Sequence, residues 1–277
     1  MNTAPHLTPA PVALVTGASR GLGLALAHAL AADGWQLVIT ARGAAELARA
    51  EAELAVVTRV VALAGSIVDD DHRAHLAEAA EALGGASLLV NNAGTLNGSA
   101  VPGAEPLPRL ADFPLPDLLE VFEVNALAPI ALTQLVLPQL RAHSGAVLNI
   151  SSDAAVVPYP GWGGYGAGKA ALDLATAVLA REERELSVWA VDPGSMRTRM
   201  LAEASPGEDI SGEPLPERIA PVLLGLWRDR TPSGRYRAED LAADLPAVAG
   251  RAVVGGSPVG GAAAGPVAAP DTARGAR

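Results

Sequence analysis

The sequence predicts an α/β fold: one domain built on a doubly wound parallel β-sheet with helices on both faces. Three observations predict it. Short apolar runs alternate with segments of helical composition along most of the chain, an order typical of α/β folds. Runs such as "VALVT" (12–16) are almost continuously apolar, as expected for parallel strands buried on both faces. Half of the 277 residues are hydrophobic, mostly Ala, Val and Leu, so the composition supplies a large core.

Strands and helices are predicted to alternate up to the sixth strand. The strands are predicted at 12–16, 35–40, 56–64, 87–91, 145–151 and 187–192. The helices are predicted at 24–32, 44–54, 69–83, about 115–140 and 163–184. The three acids at 69–71 favour a helix start there, because carboxylates stabilise the positive end of the helix dipole. Sheets of this kind bind ligands beyond the carboxyl ends of their strands, so the loops at those ends are the candidate site.

The two ends of the chain differ in composition from the rest. We predict a flexible leader at residues 1–10, the folded domain at 11–244 and a disordered tail at 245–277. The tail is rich in Gly, Ala and Pro, lacks aromatic residues and has no helical or strand period. Such a composition buries too little apolar surface to fold.

Charge and cysteine content exclude several classes of function. The formal net charge of −10 disfavours a nucleic-acid partner, because no basic patch is available to meet phosphates. With no cysteine, the chain has no disulfide, thiolate metal site or cysteine nucleophile. The N-terminus lacks a secretory signal and no apolar run approaches a bilayer-spanning length, so we predict a cytoplasmic protein without a membrane partner. The segment "DDDHRAH" (69–75) could hold a metal, but a solvated helix start is favoured and no metal site is predicted.

A glycine-rich loop joins the first strand to the first helix. In "TGASRGLG" (16–23) the glycines are spaced G-x3-G-x-G. Glycines permit a tight turn and a close approach of the backbone to a pyrophosphate, while the helix N-terminus adds donors and partial positive charge. This arrangement predicts a dinucleotide site, although such turns also occur in other doubly wound folds. The predicted cofactor contacts in the loop are Gly17, Ser19, Arg20, Gly21, Leu22 and Gly23.

The end of the second strand bears on the choice between NAD and NADP. An acid there would bind the 2′-hydroxyl of NAD, but the sequence has "TAR" (40–42) with no Asp or Glu. Arg42 and Arg20 are instead placed to meet a 2′-phosphate through charge-assisted contacts. The alternative is that both arginines are solvated loop residues. We predict NADP(H) as the cofactor.

The stretch "YGAGK" (165–169) contains the only lysine among twenty Lys and Arg residues. Residues four apart share one face of a helix, so Lys169 is predicted to lie beside the Tyr165 phenol. Gly166 and Gly168 each disfavour the helix by roughly 1 kcal/mol relative to Ala, so tertiary packing must offset them. A Tyr and a Lys at this spacing are more often a surface pair, and the other motifs of the chain decide between the two interpretations.

Four further segments accompany the glycine loop and "YGAGK". They are "NNAG" (91–94), Asn125, "ISS" (150–152) and "DPG" (192–194). Together, in this order and spacing, the six resemble the short-chain dehydrogenases/reductases, specifically the single-domain, NADP-preferring oxidoreductases. The resemblance covers residues 10 to 240 and implies a Rossmann-like fold.

The resemblance implies roles for four residues. Tyr165 would be the general acid in carbonyl reduction or the base in alcohol oxidation, and Lys169 with the positive nicotinamide would lower the pKa of its phenol from about 10. Lys169 would also bind the nicotinamide ribose. Ser152 would orient the substrate oxygen. Asn125, through its side chain and a local distortion of its helix, would hold a water that links Lys169 to solvent.

The resemblance also implies contacts with the cofactor from later loops. Ser66 stands where the family often has an acid on the adenine amino group, which puts that contact in doubt. The predicted contacts are Ser66, Ile67, Asn91, Ala93, Gly94, Pro193, Gly194, Met196 and Thr198, in addition to Tyr165 and Lys169. The polar loop 201–219 would be either a substrate lid or an ordinary surface loop. A homodimer or homotetramer is also implied.

The function predicted from these residues is an NADPH-dependent carbonyl reductase, or equivalently an alcohol dehydrogenase, acting on a small molecule. Two alternatives stay open. One is an NAD-dependent dehydrogenase that works in the oxidising direction. The other is a cofactor-binding sensor or scaffold without catalytic activity. A non-redox lyase or epimerase on the same fold is disfavoured by the glycine spacing.

Overall fold

In a computed structural model of the chain, residues 10–98 and 105–243 are described. Nearly all of the predicted leader and the whole of the predicted tail therefore lie outside the described residues. The strands of the described part are β1 (Val12–Thr16), β2 (Gln36–Ala41), β3 (Val60–Ala64), β4 (Ala86–Asn91), β5 (Ala146–Ile150), β6 (Ser187–Asp192) and β7 (Gly234–Arg237). They form one sheet in the order β3-β2-β1-β4-β5-β6-β7, and every neighbouring pair is parallel.

Helices cover both faces of this sheet. They are α1 (Gly21–Ala32), α2 (Ala44–Leu54), α3 (Asp70–Ala82), α4 (Leu115–Phe122), α5 (Ala128–Ala142), α6 (Gly163–Glu182), α7 (Arg199–Ala204), α8 (Pro216–Arg228) and α9 (Ala238–Ala243). One apolar core lies between the sheet and α1, α2 and α8. A second lies between the sheet and α3, α5 and the end of α6. The predicted doubly wound, Rossmann-like fold in a single domain is confirmed.

The strand order reverses between β1 and β4. These two strands pair in the centre of the sheet, with Val15 opposite Val90. The chain leaves β1 toward β2 and β3 on one side and later continues from β4 toward β7 on the other. In open parallel sheets the loops diverge at such a point and leave a crevice beyond the carboxyl ends. The glycine loop and the "NNAG" segment meet there.

The structure corrects the third predicted strand. Only residues 60–64 are extended, whereas residues 55–58 continue from α2 as a turn. Val56 and Val57, which suggested a strand, have exposed fractions of 86% and 61%. Apolar β-branched residues at a helix end can imitate a strand in sequence, because the pattern does not record which face they occupy. The elements β7, α8 and α9 were not predicted.

The loop predicted at 201–219 is shorter in the structure. Its first residues belong to α7, which begins after Thr198; the hydroxyl of Thr198 accepts a hydrogen bond from the amide of Leu201 at 3.3 Å. Its last residues belong to α8, which begins at Pro216, and proline is favoured at the first position of a helix. Only 205–215 connects the two helices.

The predicted helix around 115–140 is a longer continuous helix. α4, a π-helical segment (Glu123–Leu127) and α5 follow one another without a break. This 28-residue helix contains an 18-residue stretch with a mean hydropathy of 1.5, so by length and composition it is long and apolar enough to cross a membrane. Leu132, Val136 and Leu140 of this helix are fully buried in the second core.

Candidate active site

The glycine loop is fastened to the "NNAG" segment by a group of hydrogen bonds. The Thr16 hydroxyl accepts from the backbone amides of Asn92 and Ala93 at 2.9 and 3.0 Å. The Asn92 side chain donates to the carbonyls of Thr16 and Gly17 at 2.9 and 3.2 Å. A Cβ atom on Gly23 would lie 2.3 Å from the Gly17 carbonyl oxygen and 2.5 Å from Asn92 Nδ2. Only glycine at position 23 permits this close approach.

The first turn of α1 is left with free donors. The N-cap residue, Arg20, makes no side-chain hydrogen bond to the helix, so the first amides of the helix lack the partners that a cap provides. Gly17 and Gly21 have φ values of +67° and +56°, which turn the loop over this helix end. Such an end fits a pyrophosphate. Ser19 is half-buried and Leu22 is buried in the core.

The residues predicted at the adenosine end lie in two environments. Arg20 forms an ion pair of 3.1 Å with Glu46 of α2. Arg42 is exposed and has no ion-pair partner in the described part of the chain. Ser66 is half-buried at the start of the turn after β3, and the neighbouring Ile67 is buried.

Three of the four predicted catalytic residues meet at the end of β5. Tyr165 and Lys169 lie on α6 and are 7% and 3% exposed. Lys169 Nζ is 5.7 Å from the centre of the Tyr165 ring and donates to the Ile150 carbonyl at 2.7 Å. The Ser152 hydroxyl accepts from the Ala154 amide and donates to Asp153, both at 3.1 Å, and it is near enough to Tyr165 to lower the pKa of its phenol. The spacing inferred from "YGAGK" therefore places the phenol and the ammonium side by side.

The glycines of α6 explain why this segment is helical despite its low propensity. A Cβ on Gly166 would lie 2.4 Å from the Ala154 carbonyl oxygen, and one on Gly168 would lie 3.4 Å from Asn125 Cβ. Gly166 therefore allows α6 to pack closely against the backbone after β5, whereas a Cβ at Gly168 would make only ordinary contact with the π-helical segment. Tertiary packing offsets their unfavourable helix propensity.

Asn125 lies in the π-helical segment between α4 and α5, so the expected distortion of its helix is present. Its side chain is fully buried. Oδ1 accepts from the Thr95 amide at 2.9 Å and Nδ2 donates to the Thr95 carbonyl at 2.8 Å. Both polar ends are thus used to hold the loop after β4. A Cβ on Gly94 would lie 3.2 Å from Asn125 Oδ1 and 3.8 Å from Lys169 Nζ, so this loop brings Asn125 and Lys169 together.

The loop after β6 approaches the glycine loop from the opposite side. Gly194 has a φ of +71°, and its amide donates to the Asp192 carboxylate at 3.0 Å. A Cβ on Gly21 would lie 3.7 Å from Cγ2 of Thr198. Pro193 is buried and Met196 packs against the first core. The Thr198 hydroxyl, predicted to meet the cofactor, also caps α7.

The side chain of Asn91, predicted to contact the cofactor, bonds to two neighbouring elements. It is buried, and its Nδ2 donates to Asn149 Oδ1 at 2.8 Å and to the Thr133 hydroxyl at 3.3 Å. Asn92, which was not predicted as a site residue, is the residue whose side chain holds the glycine loop. Successive side chains along a strand point to opposite faces, so the side chains of Asn91 and Asn92 are expected to have different partners.

Comparison with known proteins identifies the family. The family model described as short chain dehydrogenase matches residues 11–209. The chain belongs to the short-chain dehydrogenase family. It is 35% identical over 216 residues to the L-xylo-3-hexulose reductase of Hypocrea jecorina, covering 70% of this chain and 69% of that protein.

Solved structures agree with this family. A short-chain dehydrogenase from Streptomyces avermitilis superposes with a TM-score of 0.72 and 28% identity, covering 86% of this chain and 92% of the other. An alcohol dehydrogenase from Thermococcus sibiricus, complexed with 5-hydroxy-NADP, has a TM-score of 0.73 and 25% identity, with coverages of 82% and 95%. The chain is therefore an oxidoreductase of this family that acts on CH–OH or C=O groups with a nicotinamide cofactor.

The electrostatics of this short-chain dehydrogenase differ from the expectation for Tyr165. We expected a lowered pKa for the phenol. Burial instead raises the pKa of Tyr165 well above its ordinary value, the hydrogen bond with Ser152 lowers it, and the charges of Asp192 and Asp153 raise it. The desolvation of a phenolate outweighs any effect of the neighbouring lysine. The chain alone therefore holds Tyr165 as a protonated phenol.

Lys169 makes the stability of the protein depend on pH. Burial lowers the pKa of Lys169 from its ordinary 10.5 to about 8, and the charge of Asp173 raises it. Between these values the unfolded chain binds more protons than the folded one, so stability rises with pH. From about pH 8 to about pH 9.5 we expect the free energy of unfolding of the wild type to rise by roughly 1–2 kcal/mol relative to Lys169→Met. Urea denaturation of both proteins at several pH values measures this difference, and parallel pH profiles would contradict it.

Proposed function

We propose that this short-chain dehydrogenase is an NADPH-dependent carbonyl reductase that converts a ketone or aldehyde to an alcohol, and catalyses the reverse oxidation. The observation that carries the proposal is the buried Tyr165 phenol with Lys169 Nζ 5.7 Å from its ring centre, beside Ser152 at the end of β5. Reduction of a carbonyl needs a proton at its oxygen, and a buried phenol is a proton donor. The nicotinamide cofactor supplies the hydride.

The proposed roles follow from where each group lies. The Tyr165 hydroxyl donates its proton to the carbonyl oxygen, and the Ser152 hydroxyl orients that oxygen beside it. Lys169 uses one donor for the Ile150 carbonyl, and an ammonium has two more for the nicotinamide ribose. Asn125 holds the loop after β4 through Thr95, and the neighbouring Gly94 of that loop lies close to Lys169 Nζ. The amides of the glycine loop and the start of α1 would bind the pyrophosphate.

The preference for NADP rests on the arginines near the end of β2. Arg42 is exposed and unpaired among the described residues, so its guanidinium is available to a 2′-phosphate. Arg20 is held by Glu46, whose carboxylate offsets part of its charge. The solved relative complexed with 5-hydroxy-NADP supports the same choice of cofactor.

Replacing Arg42 with Ala tests this preference. We expect the ratio of kcat/KM for NADPH to that for NADH to fall by roughly tenfold to a hundredfold, the range for losing a hydrogen bond to a charged group. NADPH consumption over a panel of ketones and aldehydes measures the ratio, once a carbonyl that turns over is found.

Arg49→Ala is the matched control, because Arg49 is an exposed arginine on the adjacent α2. An unchanged ratio in Arg42→Ala, or a wild-type enzyme that prefers NADH, would contradict the proposed cofactor. NADPH binding without turnover of any carbonyl or alcohol would favour the sensor alternative.

We also propose a homodimer or homotetramer. Leu119, Leu127 and Leu135 lie on the long helix and are 44–57% exposed. On α6, Leu174 and Val178 are also exposed. A second copy of the chain would cover these apolar side chains. Light scattering that gives the mass of a single chain would contradict this assembly.

A further inference from the structure

A side chain from the unpredicted strand β7 reaches the proposed catalytic residues. Arg235 donates from Nε to the Asp173 carboxylate at 2.8 Å and from its second terminal nitrogen to the Ser152 carbonyl at 2.9 Å. Its side chain is 29% exposed and that of Asp173 is 13% exposed. One guanidinium therefore joins β7, α6 and the segment that follows β5.

The Ser152 carbonyl begins the turn that sets the position of the Ser152 hydroxyl. It also accepts from the Ala155 amide at 3.1 Å, and the hydroxyl accepts from the Ala154 amide at the same distance. These bonds form a short 3₁₀ turn (Asp153–Ala155) with Ser152 as its N-cap. A shift of the carbonyl would move the peptide that carries the hydroxyl.

Asp173 connects this turn to the helix that carries the other catalytic groups. It lies one turn after Lys169 on α6, and its charge raises the pKa of that lysine. Its Oδ1 is buried without a hydrogen-bond partner among the described residues, so Arg235 is the cation that neutralises it. Loss of Arg235 would leave a poorly solvated carboxylate beside Lys169, which is costly.

We propose that Arg235, oriented by Asp173, is a positioning residue that holds the Ser152 segment in register with Tyr165 and Lys169 on α6. This inference rests on the proposed catalytic role of Ser152. A guanidinium suits the task because its donors lie in a fixed planar fork and can bind a carboxylate and a carbonyl together. Arg235 acts through Ser152 and is not itself expected to touch the substrate.

The kinetic test uses Arg235→Gln, Asp173→Asn and the double variant. We expect each single variant to lower kcat about tenfold or more, because small misplacements of reacting groups are costly, with KM for NADPH within about twofold of wild type. The kcat of the double variant should be no lower than that of the slower single variant, because the two residues act as a unit.

Arg228→Gln is the control, because Arg228 forms an ion pair with Asp33 away from the site. A loss of kcat no larger than that of the control, or one matched by a loss of NADPH affinity, would overturn the proposal.

Amide hydrogen exchange tests the same positioning without turnover. In Arg235→Gln we expect the amides of Ala154 and Ala155 to exchange about tenfold faster or more, because their acceptors are no longer fixed. Amides in α1 should keep their wild-type rates. If these amides exchange faster in Arg235→Gln but the wild-type enzyme reduces no carbonyl, Arg235 is still a positioning residue. The proposed function would then be rejected. Unchanged exchange at both amides would reject the positioning role itself.

Discussion

Replacing Tyr165 with Phe is expected to lower kcat by a factor of about 10² to 10⁴, the range for loss of a general acid. The change removes one oxygen and keeps the ring. The edge-to-face contact with Trp162, at 5.6 Å between ring centres, is therefore preserved. The loss of rate would then reflect the missing proton donor and not altered packing of the core. Steady-state NADPH oxidation with the best carbonyl of the panel measures it.

The control for this variant is Tyr236→Phe. The Tyr236 hydroxyl donates to the Pro232 carbonyl at 2.8 Å and its ring packs against the first core, so its loss should leave kcat within about twofold of wild type. NADPH affinity, measured by fluorescence titration, should be similar in both variants and the wild type. Turnover that survives in Tyr165→Phe would mean that another group donates the proton, and the role assigned to "YGAGK" would be wrong.

Replacing Gly23 with Ala is expected to weaken NADPH binding at least tenfold and to destabilise the protein by roughly 1–3 kcal/mol, the usual cost of overpacking. The added Cβ would lie 2.3 Å from the Gly17 carbonyl oxygen and 2.5 Å from Asn92 Nδ2. The crowded carbonyl belongs to backbone, so α1 must move away from the glycine loop. That movement would break the bonds by which Asn92 holds the loop and would misplace the amides at the start of α1.

Gly212→Ala is the matched control for this substitution. Nothing lies within 4 Å of a Cβ at Gly212, so the same chemical change should leave both NADPH affinity and the melting temperature unaltered. Calorimetry and NADPH titration of both variants separate the effects on stability and binding. A Gly23→Ala protein that binds NADPH as tightly as the wild type would show that the close contact between α1 and the loop is not needed for the cofactor.

Much of the fold follows from local sequence patterns. The strands β1, β2, β4, β5 and β6 were predicted within about two residues, because each is a short apolar run between turn residues. The third strand was misjudged because residues 56 and 57 are apolar but exposed. β7 was missed because "GRYR" has no apolar run, and its pairing with β6 depends on a neighbour more than forty residues away.

The sequence by itself determined the family, the parallel, doubly wound character of the sheet and the pairing of Tyr165 with Lys169. These features depend on spacing within single helices and loops, and such spacing is fixed by helix and strand geometry. Only the tertiary structure decided that Asn92 holds the glycine loop, that Asn125 binds the backbone of Thr95, and that Arg235 reaches Ser152. Each of these contacts joins residues at least 30 positions apart. The protonated state of Tyr165 has the same origin, because the burial that raises its pKa comes from packing that no local pattern records.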